Sequence, residues 1–129
     1  MASVLVIEDV DVVRVVLCRM LVRAGHNVTE TGDAATARTL IKQNRFDIVI
    51  TDIWMPGENS ISFIQEVKAA QPKMPVIAIT GGAPRASTEF SHNTALSAGA
   101  DRILLKPIAK DELLENLADL LSAPPSTSR

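Results

Sequence analysis

The chain has 129 residues, 47% of them hydrophobic, one cysteine and a formal net charge of -2, which fits one compact domain and leaves no room for a second. Mild acidity with mixed charges excludes the basic stripe that tracks a phosphate backbone, and no apolar run is long enough to cross a bilayer. The start Met1-Ala2-Ser3-Val4 lacks a basic segment ahead of an apolar one, so no secretory signal is expected. The lone Cys18, set among Val16, Leu17, Met20 and Leu21, reads as a buried structural thiol in a reducing, cytoplasmic setting.

In chain order, Ser3-Val4-Leu5-Val6-Ile7 is a continuous apolar run that ends on the acids Glu8 and Asp9, the pattern of a strand buried on both faces. Asp11 is placed to cap a helix over about 12–24, with Gly25 as its stop, and Asn27-Val28-Thr29-Glu30-Thr31 reads as a short edge strand. Asp33 then caps a helix through Ala34, Ala37, Leu40 and Ile41, which turns at Asn44-Arg45. The run Phe46-Asp47-Ile48-Val49-Ile50-Thr51 leads to Asp52, and Trp54-Met55-Pro56-Gly57 forces the chain out of the sheet, since Pro lacks the ladder donor and Gly permits positive φ.

Ser60 can cap a helix carrying Ile61, Ile64 and Val67 on one face, ended by Pro72. Pro75-Val76-Ile77-Ala78-Ile79-Thr80 is another buried strand, ending this time on a hydroxyl. The connection at 81–87 leads into a helix around 88–98 rich in Ser, Thr, Asn and His, residues that compete for backbone hydrogen bonds and make a weak helix. Arg102-Ile103-Leu104-Leu105 is the last strand and delivers Lys106-Pro107. The final helix, about 109–121, puts Leu113, Leu117, Leu120 and Leu121 on one stripe, so the domain is expected over 1–122, with 123–129 a disordered tail or linker stub.

Five strands alternating with five helices predict an α/β fold with a doubly wound parallel sheet. Its carboxyl edge gathers the carboxylates Glu8, Asp9 and Asp52, the hydroxyl of Thr80 and the cation Lys106. Three acids in one place repel one another, so their pKa values rise or a cation shares the site, and hard oxygen ligands suit Mg²⁺ or Mn²⁺. An in-line nucleophile, a metal on phosphate oxygens and donors for developing charge are the parts of phosphoryl transfer.

Glu8-Asp9, Asp52 with Met55-Pro56-Gly57, Thr80 and Lys106-Pro107, each at a strand end and in this order, resemble the chemotaxis-regulator-like receiver domain of two-component response regulators. The resemblance implies the flavodoxin-like strand order 2-1-3-4-5. It implies that Asp52 takes a phosphoryl group from a phosphohistidine on a kinase or phosphotransfer protein, and that Asp9, Asp52 and the backbone carbonyl of Trp54 ligate the metal. Glu8 is then expected to act through a metal-bound water. Thr80 and Lys106 are expected to contact the phosphoryl group, and the bond at Lys106-Pro107 is often cis in the family, with the isomer left open. The domain so read is not an enzyme with a separate substrate. It assists its own phosphorylation and dephosphorylation and signals through a downstream partner or an output domain.

Two features depart from the family. Ile103 stands where a Tyr or Phe is usual, three residues before the lysine, and the segment between Thr80 and Lys106 is a few residues longer, near Gly81-Gly82-Ala83-Pro84. Ordering of that loop and the weak helix is the expected substitute for ring rotation. The missing ring also leaves a second reading, an interaction module of the same fold that signals without phosphoryl transfer. A flavin carrier is disfavoured, because the first strand turn offers acids where an anionic phosphate needs donors. Trp54 either covers the core edge or shields the acyl phosphate from water, and His26 and His92 read as surface residues. The first helix carries more apolar residues than one buried stripe needs, so it makes a broad core contact or docks a phosphotransfer domain or a second copy.

Overall fold

The computed structural model describes residues 2–53, 60–80 and 99–122, with Ser60 described in its backbone alone. Its elements are β1 (Ser3–Ile7), α1 (Asp11–Arg23), β2 (Asn27–Thr31), α2 (Ala34–Gln43), β3 (Ile48–Asp52), α3 (Ser60–Ala70), β4 (Val76–Thr80), β5 (Arg102–Leu105) and α4 (Lys110–Ser122). Four helices thus lie among the described residues, and the helix expected around 88–98 falls outside them. So do the 54–57 turn, the loop after Thr80, His92, the 123–129 tail and the expected cap by the Ser60 side chain.

The five strands are all parallel, in the order β2-β1-β3-β4-β5. Side chains alternate between the two faces of a strand, and each face is covered by its own core. Leu5, Ile7, Val49, Val76 and Ala78 meet Ala37 of α2 and Phe63, Ile64 and Val67 of α3 on one side. Val4, Val6, Ile50, Ile77 and Leu104 meet Leu17 and Leu21 of α1 and Leu113 and Leu117 of α4 on the other. Leu120 and Leu121 are partly buried against this second core, which accounts for the expected leucine stripe. On α3, Ile64 and Val67 are buried as expected and Phe63 is buried beside them, while Ile61 is only half-buried.

Local boundaries follow from hydrogen bonds. Asp33 caps α2 as expected, its Oδ1 accepting the Thr36 N–H at 2.6 Å. Asp11 does not cap α1. The cap position is Val10, extended at φ -85 and without a side-chain bond to the helix, and its own N–H donates to Glu8 Oε2 at 3.1 Å, while Asp11 is drawn to Arg14. Gly25, at φ 95, ends the helix. His26 is half-buried rather than on the open surface, because its Nδ1 accepts the Ala2 N–H at 3.1 Å; burial lowers its pKa, and the nearby chain terminus adds to this.

At the amino edge of the sheet, acids satisfy strand donors that have no ladder partner. Asp47 Oδ2 accepts from Ser3 N at 2.8 Å, and Asp101 Oδ2 accepts from Val76 N at 2.9 Å and from Lys68 Nζ at 3.0 Å. Lys68 also donates to the Met74 carbonyl at 2.8 Å. Gly99, at φ 112, lies over this lysine, and a Cβ there would sit 3.0 Å from Lys68 Cγ. Gly99→Ala is therefore expected to cost about 1–3 kcal/mol in urea unfolding from backbone strain alone, plus displacement of Lys68. Gly25→Ala, at φ +95 with nothing within 4 Å of its Cβ, should show the strain without the displacement, so an equal loss in the two variants would contradict the role given to Lys68.

Candidate functional site

The chain runs from β1 outward to β2 and then back across to β3. The winding direction therefore reverses between β1 and β3, and in open α/β sheets the crevice beyond the strand ends at such a point takes the ligand. β1 ends immediately before Glu8 and Asp9, and β3 ends on Asp52. β4 ends on Thr80, whose carbonyl accepts the Lys106 N–H at 2.9 Å. Four of the five expected strand-end side chains are thereby accounted for at one rim by the register itself, and Lys106 follows β5 into the same place.

Burial makes this rim unusual. Glu8 and Thr80 are fully buried and Asp52 is 2% exposed. Lys106 Nζ donates to Asp52 Oδ2 at 3.0 Å and lies 3.1 Å from Glu8 Oε1 as an ion pair. Burial pushes the Glu8 carboxyl above its ordinary pKa and the Asp52 charge adds to the rise, against the Val10 N–H and Lys106, which oppose it. Burial acting alone would lower the pKa of Lys106, but the hydrogen bond and charge of Asp52, with Glu8 behind them, outweigh it and raise it. The peptide bond from Lys106 to Pro107 is cis.

Glu8, Asp9 and Asp52 each offer a carboxylate oxygen, and all these atoms lie within 4.8 Å of one another. An all-oxygen donor set of this charge suits a hard divalent ion such as Mg²⁺ or Mn²⁺. Thr80 Oγ1 is a buried side-chain oxygen without a hydrogen-bond partner among the described residues, which a phosphoryl oxygen would give it, and Glu8 Oε1 faces the Lys106 cation alone at 3.1 Å, where a metal-bound water could add a second partner. The residues present therefore fit the cation expected from the sequence. Trp54, whose backbone carbonyl is the remaining expected ligand, lies outside the described residues.

Ile103 is half-buried and packed against the core shared with α2 and α3. Cys18 is buried, and its thiol is pushed up to about 11, first by burial and then by Glu30, so it is inert as expected. The residue that the sequence reading passes over is Arg14. It donates to the Glu8 main-chain oxygen at 2.7 Å and pairs with Asp11 and Glu30. The i,i+3 spacing from Asp11 is its one sequence signal.

Comparison with known proteins agrees with this geometry. The Response regulator receiver domain model matches residues 4–118. The DNA-binding transcriptional regulator NtrC of Bradyrhizobium sp. (strain RP501 Parasponia) is 34% identical over 128 residues, which is 95% of this chain and 25% of that protein. Response regulator MprA of Mycobacterium sp. (strain KMS) is 34% identical over 119 residues, 92% of this chain and 50% of that protein. The chain thus spans between a quarter and a half of the length of these relatives. Among solved structures, the receiver domain of sensor histidine kinase PA1611 from Pseudomonas aeruginosa PAO1, with a magnesium ion coordinated in its active site cleft, superposes with TM-score 0.83 at 27% identity, covering 95% of this chain and 98% of that one. Chemotaxis protein CheY4 of Vibrio cholerae gives TM-score 0.82 at 27% identity, over 93% of this chain and 98% of that one. The strand order, the acids at the winding reversal and the family match converge on one conclusion: the chain belongs to the response regulator receiver domain family.

Proposed function

We propose that Asp52 is the phosphoacceptor of a phosphorylation-controlled switch, and the observation that carries this is its burial in hydrogen-bond contact with Lys106, 2% exposed, at the strand-end crevice. A carboxylate oxygen of Asp52 attacks the phosphorus of a phosphohistidine. The P–N bond breaks with its electron pair going to the imidazole, which takes a proton, and an acyl phosphate remains. Lys106 offsets charge on the phosphoryl oxygens and the Thr80 hydroxyl donates to one of them. Asp9 and Asp52 would hold the divalent cation, with Glu8 acting through a metal-bound water; the carbonyl of Trp54, the remaining ligand expected from the resemblance, lies outside the described residues. When bound, this Mg²⁺ or Mn²⁺ neutralises charge on the transferring group. The same parts serve hydrolysis of the acyl phosphate, so the domain assists both its own phosphorylation and its own dephosphorylation.

The unit doing this is residues 1–122, in the cytoplasm. It signals to a downstream protein or an output domain, without contacting nucleic acid or membrane itself. The phosphoryl mimic beryllofluoride tests the acceptor. In the presence of Mg²⁺ it should change the tryptophan fluorescence of the folded wild-type protein, and no change at saturation would reject the reading.

The donor is a histidine kinase or phosphotransfer protein, and α1 is the surface it meets. Val12 is 68% exposed and Val15, Val16 and Val22 about half exposed, an unfavourable number of apolar side chains in water for one helix. Val12 and Val16 line a groove of about 410 Å³ that continues past Pro107 and Ile108 to Lys106. A helix laid in it reaches the acceptor. Val12→Glu and Val16→Glu should each slow transfer from the protein donor about tenfold, the effect of losing a modest hot spot, while acetyl phosphate labels them at the wild-type rate. Val13 packs on the core and is not a fair probe. Equal slowing with both donors would place the defect at the site and not at the surface.

A further inference from the structure

Arg14, in the first turns of α1, spends its guanidinium on three acceptors from three different places in the chain. Nη1 donates to the main-chain oxygen of Glu8 at 2.7 Å, Nη2 to Asp11 Oδ1 at 2.6 Å and Nε to Glu30 Oε1 at 3.0 Å. The carbonyl it holds belongs to the peptide unit that joins Glu8 to Asp9. That unit is planar, so fixing its oxygen fixes the directions in which both acids leave the backbone. The Glu8 side is already tied, by its N–H to Thr31 O at 3.1 Å and by its carboxylate to Val10 N at 3.1 Å. Arg14 supplies the matching tie on the carbonyl.

Asp11 and Glu30 approach from α1 and β2 and hold the planar guanidinium in one orientation, which a lysine cannot reproduce with a single point charge. Gly32 keeps the space open. A Cβ at that position would stand 3.3 Å from Arg14 Nη1, 3.8 Å from the Glu8 oxygen and 3.9 Å from Asp9 Cα, and no positive φ is recorded there, so steric room rather than backbone freedom is what the glycine provides.

We infer that Arg14 is a positioning residue for the divalent-cation site: by clamping the Glu8 to Asp9 peptide it presents the two carboxylates beside Asp52 as a preformed oxygen set. This rests on the cation reading given above. Groups that orient ligands without touching the metal have large effects on its affinity. Charge and geometry here predict opposite signs. A guanidinium near a cation site repels the cation, so its removal should tighten binding on charge alone; loss of the clamp should loosen it.

The test is the affinity for Mn²⁺, read by electron paramagnetic resonance of the free ion, in wild type, Arg14→Gln and Gly32→Ala. Arg14→Gln should bind about tenfold more weakly, the usual size of such an outer-shell effect. In the metal-free protein it should also shift the ¹⁵N resonance of the Asp9 amide, whose carbonyl partner has lost its donor. Gly32→Ala keeps every charge and crowds the guanidinium, whose Nη1 must give by a few tenths of an ångström, so it should weaken binding in the same direction by a smaller factor and serves where Arg14→Gln fails to fold. Arg14→Gln binding Mn²⁺ as tightly as wild type or tighter overturns the inference, as does unchanged binding in Gly32→Ala. A folded wild type that binds no Mn²⁺ overturns the cation reading and this inference with it, which the first two outcomes do not.

Discussion

Asp52→Asn incubated with Mg²⁺ and acetyl phosphate should show no mass gain of a phosphoryl group, where wild type gains one. An amide oxygen is a poor nucleophile, and an amide ester of phosphate would not persist, so the loss should be complete to the background of the assay. The fold should survive. Asn keeps the volume of Asp in a position that is 2% exposed, and its oxygen can still accept from Lys106 Nζ, now 3.0 Å from Oδ2. Removing the charge also relieves the repulsion that Asp52 exerts on Glu8. Thermal unfolding without metal should therefore be unchanged or slightly improved, and retained labelling in a folded Asp52→Asn would move the acceptor elsewhere.

Lys106→Met should be the more damaging change to stability. Among the described residues Lys106 is the cation paired with both Glu8 and Asp52. Met keeps the stem and deletes the charge, which leaves two acids at 0% and 2% side-chain exposure facing each other. Breaking a buried pair from one side costs on the order of 3–5 kcal/mol, and urea unfolding in EDTA should show a loss of about 3 kcal/mol. Saturating Mg²⁺ should return much of it, because an ion bound only by the folded form stabilises that form. A variant as stable as wild type in EDTA would mean that the acids are neutralised by another group.

The pH dependence follows from the same pairs. Lys106 is raised above its ordinary 10.5 in the folded protein, so its contribution is complete below 10.5 and is lost as pH rises through the higher folded value. Lys106→Met should lack that alkaline loss. Glu8 runs the other way. Its folded pKa is raised above 4.5, chiefly by burial, so it erodes stability as pH rises from 4.5 to the folded value. Without Lys106, which holds it down, that window should widen.

Much of this fold is legible in the sequence because β1, β3 and β4 are unbroken apolar runs, and only a parallel sheet covered on both faces buries such strands completely. The acids and the hydroxyl are legible for a related reason: a polar residue that ends an apolar run falls at the end of its strand, and parallel strands put those ends at one rim of the sheet. What is not legible depends on contacts distant in sequence. Asp11 has the composition of a cap, yet Glu8 takes the Val10 N–H and Arg14 takes Asp11. Arg14 itself looks like a solvated helix arginine until β2 brings Glu30 and Gly32 beside it. His26 looks exposed until the Ala2 N–H finds its Nδ1. Phe63 joins the expected Ile64 and Val67 in the core of α3, with Arg38 over its ring at 6.0 Å, a contact between α2 and α3 that the spacing within α3 does not reveal.

The acids of this sheet are divided between its two ends by what they accept. At the amino end Asp47 and Asp101 each accept a strand N–H and serve as fasteners; at the carboxyl end Glu8 and Asp52 are held by a lysine that another cation can supplement. Tolerance to fusion and insertion should therefore be polar along the strand axis. Grafts at the amino end threaten assembly of the domain, whereas grafts at the carboxyl end leave a folded domain that no longer carries a message.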